Sequence, residues 1–421
     1  MKYSDTLIAF AAVAAAAAID QKVSYDGYKV VRVPLANLEE GRAALNLIEE
    51  MDLQPWKAPY AAGDFTDLIL SPSQIEQFEN RYAAASFSGM TVMHEDLGLS
   101  IAQENNVTDT YQPGSLSMDW FSAYHPFPDH MSWLKDLQGK YSKNSAIISA
   151  GKSTEGNDMA GIHIWGSAKG KPAVIFHGTL HAREWIIAKI VEFAAQKLLE
   201  GLEKDDAIKG FLEKYDFIFY PIINPDGFKF TASDRMWRKN RAANGGDKCK
   251  GVDINRNWDY KWGGPGASPS TCHETYRGPS AASEPETKNA QASINNVAKD
   301  QGVAMYIDWH SYSQLILAPY SYDCSAKPPR LDEHMAVVRA MADGMKSAHG
   351  QSYKTGQTCR TLYQVSGGST DYAMDVSKAG LSIIIESRDT GKHGFIIPAN
   401  LLRPTVEESW AGTVAALKAM K

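Results

Sequence analysis

The chain has 421 residues, is 44% hydrophobic and 22% charged, and carries a net charge of −6. This composition belongs to a globular protein and excludes both a disordered polyelectrolyte and a strongly basic nucleic-acid-binding surface. At roughly 150 residues per domain, the length accommodates one large domain and a smaller companion.

Lys2 precedes an apolar run over residues 7–19, mostly alanine with leucine, isoleucine, phenylalanine and valine, that stops at Asp20. A charged start, a core shorter than the roughly 20 residues a bilayer span needs, and small residues before a polar stop are the pattern of a secretory signal peptide. Residues 1–19 are therefore expected to be removed and the mature chain secreted, with no membrane association. In an oxidising compartment the four cysteines, Cys249, Cys272, Cys324 and Cys359, read as disulfides rather than as thiolate ligands. Of the three possible pairings, the sequential one, which closes two short loops, is expected.

Residues 20–112 contain 15 Asp plus Glu against 6 Lys plus Arg, a net charge of −9. Since residues 1–19 are neutral, residues 113–421 carry about +3. An acidic small part facing a mildly basic large one favours docking within one chain. In the small part "YKVVRVPL" reads as a strand and "LEEGRAALNLIEEM" as a helix. "FTDLIL" is a second strand, "SPSQIEQFENRYA" a helix capped by Ser71 or Ser73, and "SGMTVMHED" a further strand. This order predicts a small α+β domain of ferredoxin-like type. "QENNVTDTYQPGSLS" follows as an exposed linker, and Asn106 opens a glycosylation sequon within it.

Beyond Asp119 the pattern alternates. "PAVIFHG", "YDFIFYPIINPDG", "VAMYIDWH" and "LSIIIE" are short apolar strands, and "EWIIAKIVEFAAQKLLEGL" has helical spacing. Continuous apolar strands imply a sheet covered on both faces, hence an α/β/α sandwich around a mixed, mostly parallel central sheet. His181 falls just past the first of these strands, while His310 and Glu386 close the last two. Ligands of open α/β sheets bind outside the carboxyl ends of the strands, so the three can meet in one crevice. A catalytic zinc takes three nitrogen or oxygen ligands and keeps one position open. His181, Glu184 and His310 suit that set, with Glu386 placed to act as general base. No HExxH motif or GxSxG nucleophile elbow occurs, which excludes the helix-borne zincin arrangement and argues against a serine hydrolase.

The stretches "GTLHAREWI", "DRMWRKNR", "GVDINRNWD", "DWHSYSQ", "LYQVSGGSTDYA" and "ESRDTGKHGFIIP" closely resemble the motif series of the carboxypeptidase A/B family of zinc metallocarboxypeptidases. The resemblance covers residues 119–421, and residues 20–112 are more loosely similar to the family's inhibitory pro-segment. It implies a pro-domain and linker over residues 20–112, a catalytic domain over residues 113–421, and one Zn2+ held by His181, Glu184 and His310. It also implies that Glu386 activates a zinc-bound water, that Arg238 polarises the scissile carbonyl, and that Asp253 orients the first histidine ligand. Asn255, Arg256 and Tyr363 match the groups that hold the terminal carboxylate, and Arg183 and Arg235 match outer substrate contacts.

By the same resemblance, Leu317, Ser321, Thr358, Val365, Thr370 and Ile384 match the family's pocket positions. Thr370 stands where an acidic residue would select C-terminal Lys or Arg, so a neutral pocket for aliphatic or aromatic ends is expected, made shallower by Ile384. Residues 82–134 contain no Lys or Arg. Activation between residues 103 and 117 is therefore expected from a protease of non-tryptic specificity, acting on a monomer. Two competing readings are an amidohydrolase using the same trio, which would not need the Asn255, Arg256 and Tyr363 set, and a catalytically dead binding member, which would lack ligands or base.

Overall fold

The computed structural model describes residues 22–58, 63–85, 87–104, 111–245 and 248–421. The expected signal peptide and Asn106 lie outside the described residues.

The small part is a four-stranded antiparallel sheet of β1 (Lys29–Leu35), β2 (Gln54–Lys57), β3 (Asp64–Leu70) and β4 (Thr91–His94), in the order β2-β3-β1-β4. Asn37 caps the helix Leu38–Glu50 by accepting from the Glu39 and Glu40 N–H groups, both at 2.9 Å. Ser71 precedes Pro72 at the start of the helix Pro72–Ala84, and its N–H donates to Gln74 Oε1 at 2.9 Å. Strand alternation divides the sheet into two faces. Val31, Val33, Leu35, Leu68 and Leu70 pack under both helices with Phe78. Val30 and Ile69 face the other way and join Trp56, Leu97, Met236, Tyr312, Phe395 and Ile396. The second face thus completes its core with residues of the large part. β2 escapes sequence reading because it has four residues and contains Pro55, which a sheet tolerates at an edge.

The large sheet comprises β5 (Ser145–Lys152), β6 (Asp158–Ile164), β7 (Ala173–Gly178), β8 (Asp216–Tyr220), β9 (Val303–Ser311), β10 (Leu315–Ala318), β11 (Lys354–Gln357) and β12 (Leu381–Ser387). Their order is β11-β10-β12-β9-β7-β8-β6-β5, with β8, β7, β9 and β12 mutually parallel. Antiparallel β5 and β6 extend one edge, and β10 pairs antiparallel with β12. Val174 and Phe176 point into a core shared with the helices Phe127–Lys140, Trp185–Gly201, Leu331–His349 and Ala399–Ala419. Ala173 and Ile175 point to the opposite core, under the helix Pro285–Asp300. Burial on both faces is why the inner strands lack an alternating polar pattern. The disulfides are Cys249–Cys272 and Cys324–Cys359, the sequential pairing.

The stretch expected as a linker is held at both of its described ends. Glu104, the last residue of the helix Leu97–Glu104, is buried. On the far side Tyr111 lies edge-on to Trp120 at 5.0 Å and donates its hydroxyl to Asp136, while Gly114 N donates to the same carboxylate at 2.6 Å. Arg32 on β1 pairs with its cross-strand neighbour Asp67 through two hydrogen bonds of 2.7 Å, and Asp67 also accepts from Tyr312 of the large part.

The packing of the large core gives a direct prediction. Phe193 is 1% exposed and meets Phe121 edge-to-face at 4.9 Å. Phe193→Ala should lower stability by about 3–5 kcal/mol, read as a shift of the urea midpoint at unchanged slope.

Candidate active site

Three of the parallel strands deliver the reactive side chains. After β7 the chain turns through Thr179 at φ 53°, a left-handed conformation a β-branched residue rarely adopts, and reaches His181. The Thr179 hydroxyl donates to Pro221 O at 2.9 Å and secures the turn. Glu184 follows as the residue that precedes the helix Trp185–Gly201. His310 is the penultimate residue of β9 and Glu386 the penultimate residue of β12, and the two are register partners in the parallel pair.

Potential ligand atoms of His181, Glu184 and His310 lie within 4.8 Å of one another, and all three residues are buried. His181 Nδ1 stands 2.8 Å from Glu184 Oε1, and His310 Nδ1 stands 3.0 Å from His181 Nδ1 and 3.1 Å from Glu184 Oε2. Both imidazoles turn Nδ1 inward, while each Nε2 reaches a carboxylate: Asp253 at 3.1 Å from His181, and Asp308 at 2.9 Å from His310. Two nitrogen lone pairs and a carboxylate converging on one point, with outer N–H groups held by carboxylates, are what a zinc ion requires of its ligands. The donor set fits the metal. Burial opposes ionisation of Glu184, but the two imidazoles hold it well below the usual carboxylate range. Burial likewise disfavours charge on His310, which Asp308 and Glu184 outweigh, pushing its pKa well up.

Glu386 is half-buried and lines the cavity shared with these ligands, where burial, with Glu184 nearby, pushes its carboxyl up to about 8. Arg238 donates to Asp253 Oδ2 from Nη2 at 2.8 Å and Nε at 3.2 Å. Burial penalises the Asp253 charge, yet Arg238 and Arg256 hold its pKa well below the ordinary value. Arg256 is fastened by Gly266 O at 2.7 Å and Asn255 O at 2.9 Å, and its Nη2 donates to Tyr363 Oη at 3.3 Å. Arg183, Asn255, Ser321, Thr358, Val365, Thr370 and Ile384 line the same cavity, whose volume is about 450 Å³.

Two expected site residues stand elsewhere. Leu317 is fully buried as the register partner of Ile384, behind the pocket wall. Arg235 does not line the cavity; its Nε and Nη2 donate to the two oxygens of Glu104 at 2.7 and 2.8 Å. Asp371, beside Thr370, accepts from the Ser321 and Tyr322 N–H groups at 3.0 Å, so it braces the pocket from behind. Sequence reasoning missed several wall residues: His273 and Glu274 near the Cys249–Cys272 bridge, Tyr312 and Phe395, and Leu45, Ile48, Leu53 and Trp56 of the small part. Glu274 pairs with Arg183 at 3.1 Å, and only proximity to Cys272 could have signalled it.

Comparisons with known proteins agree with this geometry. The zinc carboxypeptidase family model matches residues 130–412. Metallocarboxypeptidase A of Trichophyton rubrum is 44% identical over 421 residues, covering 99% of this chain and 98% of that protein. Carboxypeptidase A2 of Rattus norvegicus is 34% identical, covering 92% and 93%. Among solved structures, that of thrombin activatable fibrinolysis inhibitor superposes with a TM-score of 0.85 at 26% identity, covering 93% of this chain and 98% of that one. Carboxypeptidase A from Helicoverpa armigera superposes with a TM-score of 0.82 at 26% identity, covering 94% and 98%. The trio of ligand-type residues, the sheet that carries it and the match along the whole chain together establish that this protein belongs to the zinc carboxypeptidase family.

Proposed function

We propose that this metallocarboxypeptidase is secreted as a zymogen, holds one zinc ion on His181, Glu184 and His310, and removes neutral aliphatic or aromatic residues from peptide C-termini. The observation that carries the reading is the convergence, in one cavity, of that trio with Glu386 and with the guanidinium of Arg256. When bound, the zinc supplies Lewis-acid chemistry, acidifying water and polarising a carbonyl. Glu386 takes the proton of the attacking water and returns it to the leaving amine, a role that its raised pKa suits. Arg238, aimed by Asp253, offers hydrogen bonds to the oxyanion that develops on the scissile carbonyl. Arg256 presents a planar fork to the terminal carboxylate, and Asn255 and Tyr363 complete that subsite. Pairing with a free carboxylate restricts cleavage to the last bond, and it is what distinguishes this reading from an amidohydrolase acting through the same trio.

Several contacts support a covering role for the small part. Leu45, Ile48, Leu53 and Trp56 are among the small-part residues that line the cavity, Glu104 occupies Arg235, and Asp67 reaches Tyr312. The acidic charge of the cover complements the basic large part.

Three measurements test these assignments. On blocked dipeptides, a zinc chelator should abolish turnover by the processed enzyme, and Glu386→Gln should lower kcat by at least about 10²-fold. Chelator-insensitive activity, or a mutant as fast as its parent, would overturn the mechanism. Among peptides ending in Leu, Phe, Trp and Lys, those ending in Leu or Phe should show the highest kcat/KM and Lys the lowest; a preference for Lys would refute a neutral pocket. The intact chain should be inactive, and the active form should begin between residues 103 and 117. An N-terminus after Arg81 or Lys135 would instead implicate a tryptic cut.

A further inference from the structure

Of the two histidines facing the metal position, His181 has the outer carboxylate that the motif resemblance anticipates, Asp253. The second carboxylate was not anticipated. Asp308 lies two residues before His310 on β9, so strand alternation puts both side chains on the same side of the strand. It is fully buried, and its Oδ2 sits 2.9 Å from His310 Nε2. The same oxygen accepts from Asn255 Nδ2 at 3.2 Å and from the Ser369 hydroxyl.

The geometry around His310 Nε2 poses a choice of tautomer. Asn255 Nδ2 is also 3.1 Å from that nitrogen. If Asn255 donated to Nε2, the imidazole proton would sit on Nδ1, which stands 3.0 Å from His181 Nδ1 and 3.1 Å from Glu184 Oε2. A proton there would remove the lone pair that a metal ligand needs. Asp308 settles the choice, because its carboxylate can only accept. Nε2 must then carry the hydrogen, and Asn255 turns its amide to the same oxygen. Ser369 N donates to Asn255 Oδ1 at 2.9 Å and fixes that amide from its other end.

We propose that Asp308 is a positioning residue of the metal centre: it locks His310 in the Nε2–H tautomer, so that Nδ1 faces the zinc, and it orients Asn255 in the neighbouring carboxylate subsite. The inference rests on the zinc reading above. Both histidines would then be backed by carboxylates, Asp253 and Asp308, rather than one alone. The Ser369 hydroxyl contacts the same oxygen without touching His310, and this makes it a control.

Zinc affinity of the full chain, measured by competition with a chromophoric chelator, tests the proposal without reference to activity. Asp308→Asn should weaken binding about 10–100-fold, whereas Ser369→Ala should stay near its parent. Parent-like affinity in Asp308→Asn, or an equal loss in Ser369→Ala, would overturn the role of Asp308 while leaving the zinc reading intact. Failure of the parent chain itself to bind zinc would overturn both. Should Asp308→Asn not fold, ¹⁵N–¹H correlation spectra of the parent with labelled histidine decide the matter. In the neutral ring a hydrogen on Nε2 of His310 is expected, and one on Nδ1 with Nε2 bare would sink the idea.

Discussion

The parallel pairing of β9 with β12 is the constraint on which the site depends. It places His310 and Glu386 side by side at one sheet edge, with β7 on the other flank of β9 sending the chain on to His181. Parallel neighbours share a direction, so their carboxyl ends open onto one crevice, and three residues more than 70 positions apart reach it together. Both faces of these strands are packed, which holds the backbone beneath each reactive group. A loop-borne constellation would need far more hydrogen bonding to reach the same precision.

Charge is concentrated and almost fully opposed within that crevice. Glu184, Asp253 and Asp308 are buried acids, and each is met by an imidazole, with Arg238 and Arg256 also pressing on Asp253. Removing one member of such a set costs about 3–5 kcal/mol, since the remaining charge is stranded away from water. The network is therefore stiff, and a dication at the meeting point of the two Nδ1 atoms would offset the acids further. Glu386 differs from its neighbours. Burial pushes its pKa up and Glu184 adds to the rise, which His310 and Arg238 offset only in part.

Much of this was legible in the residues. Apolar runs ending in His or Glu marked the strand ends, and periodicity marked the helix that begins after Glu184. Features that rest on long-range pairing were hidden. Arg235 matched an outer substrate contact by its motif, but its pairing with Glu104 was hidden, because that partner is 131 residues away in a stretch with linker composition. β5, β6, β10 and β11 are edge or near-edge strands, some only four residues long, and carried too little pattern to stand out. Asp308 was readable in principle: an acid at i−2 from a strand histidine shares its face, and a buried acid there needs a partner.

The two-faced small sheet has a consequence for its fate. One face is covered by its own helices, but Val30, Ile69, Trp56 and Leu97 share their cluster with Met236, Tyr312, Phe395 and Ile396 across the interface. Parted from the large unit, the small sheet would present these apolar side chains to water, a surface of the kind that seeks a partner or aggregates. Separation would thus uncover apolar surface on both sides of the interface. The departing face would carry Val30, Ile69 and Trp56 into water, and Met236, Tyr312 and Phe395 would remain on the large part.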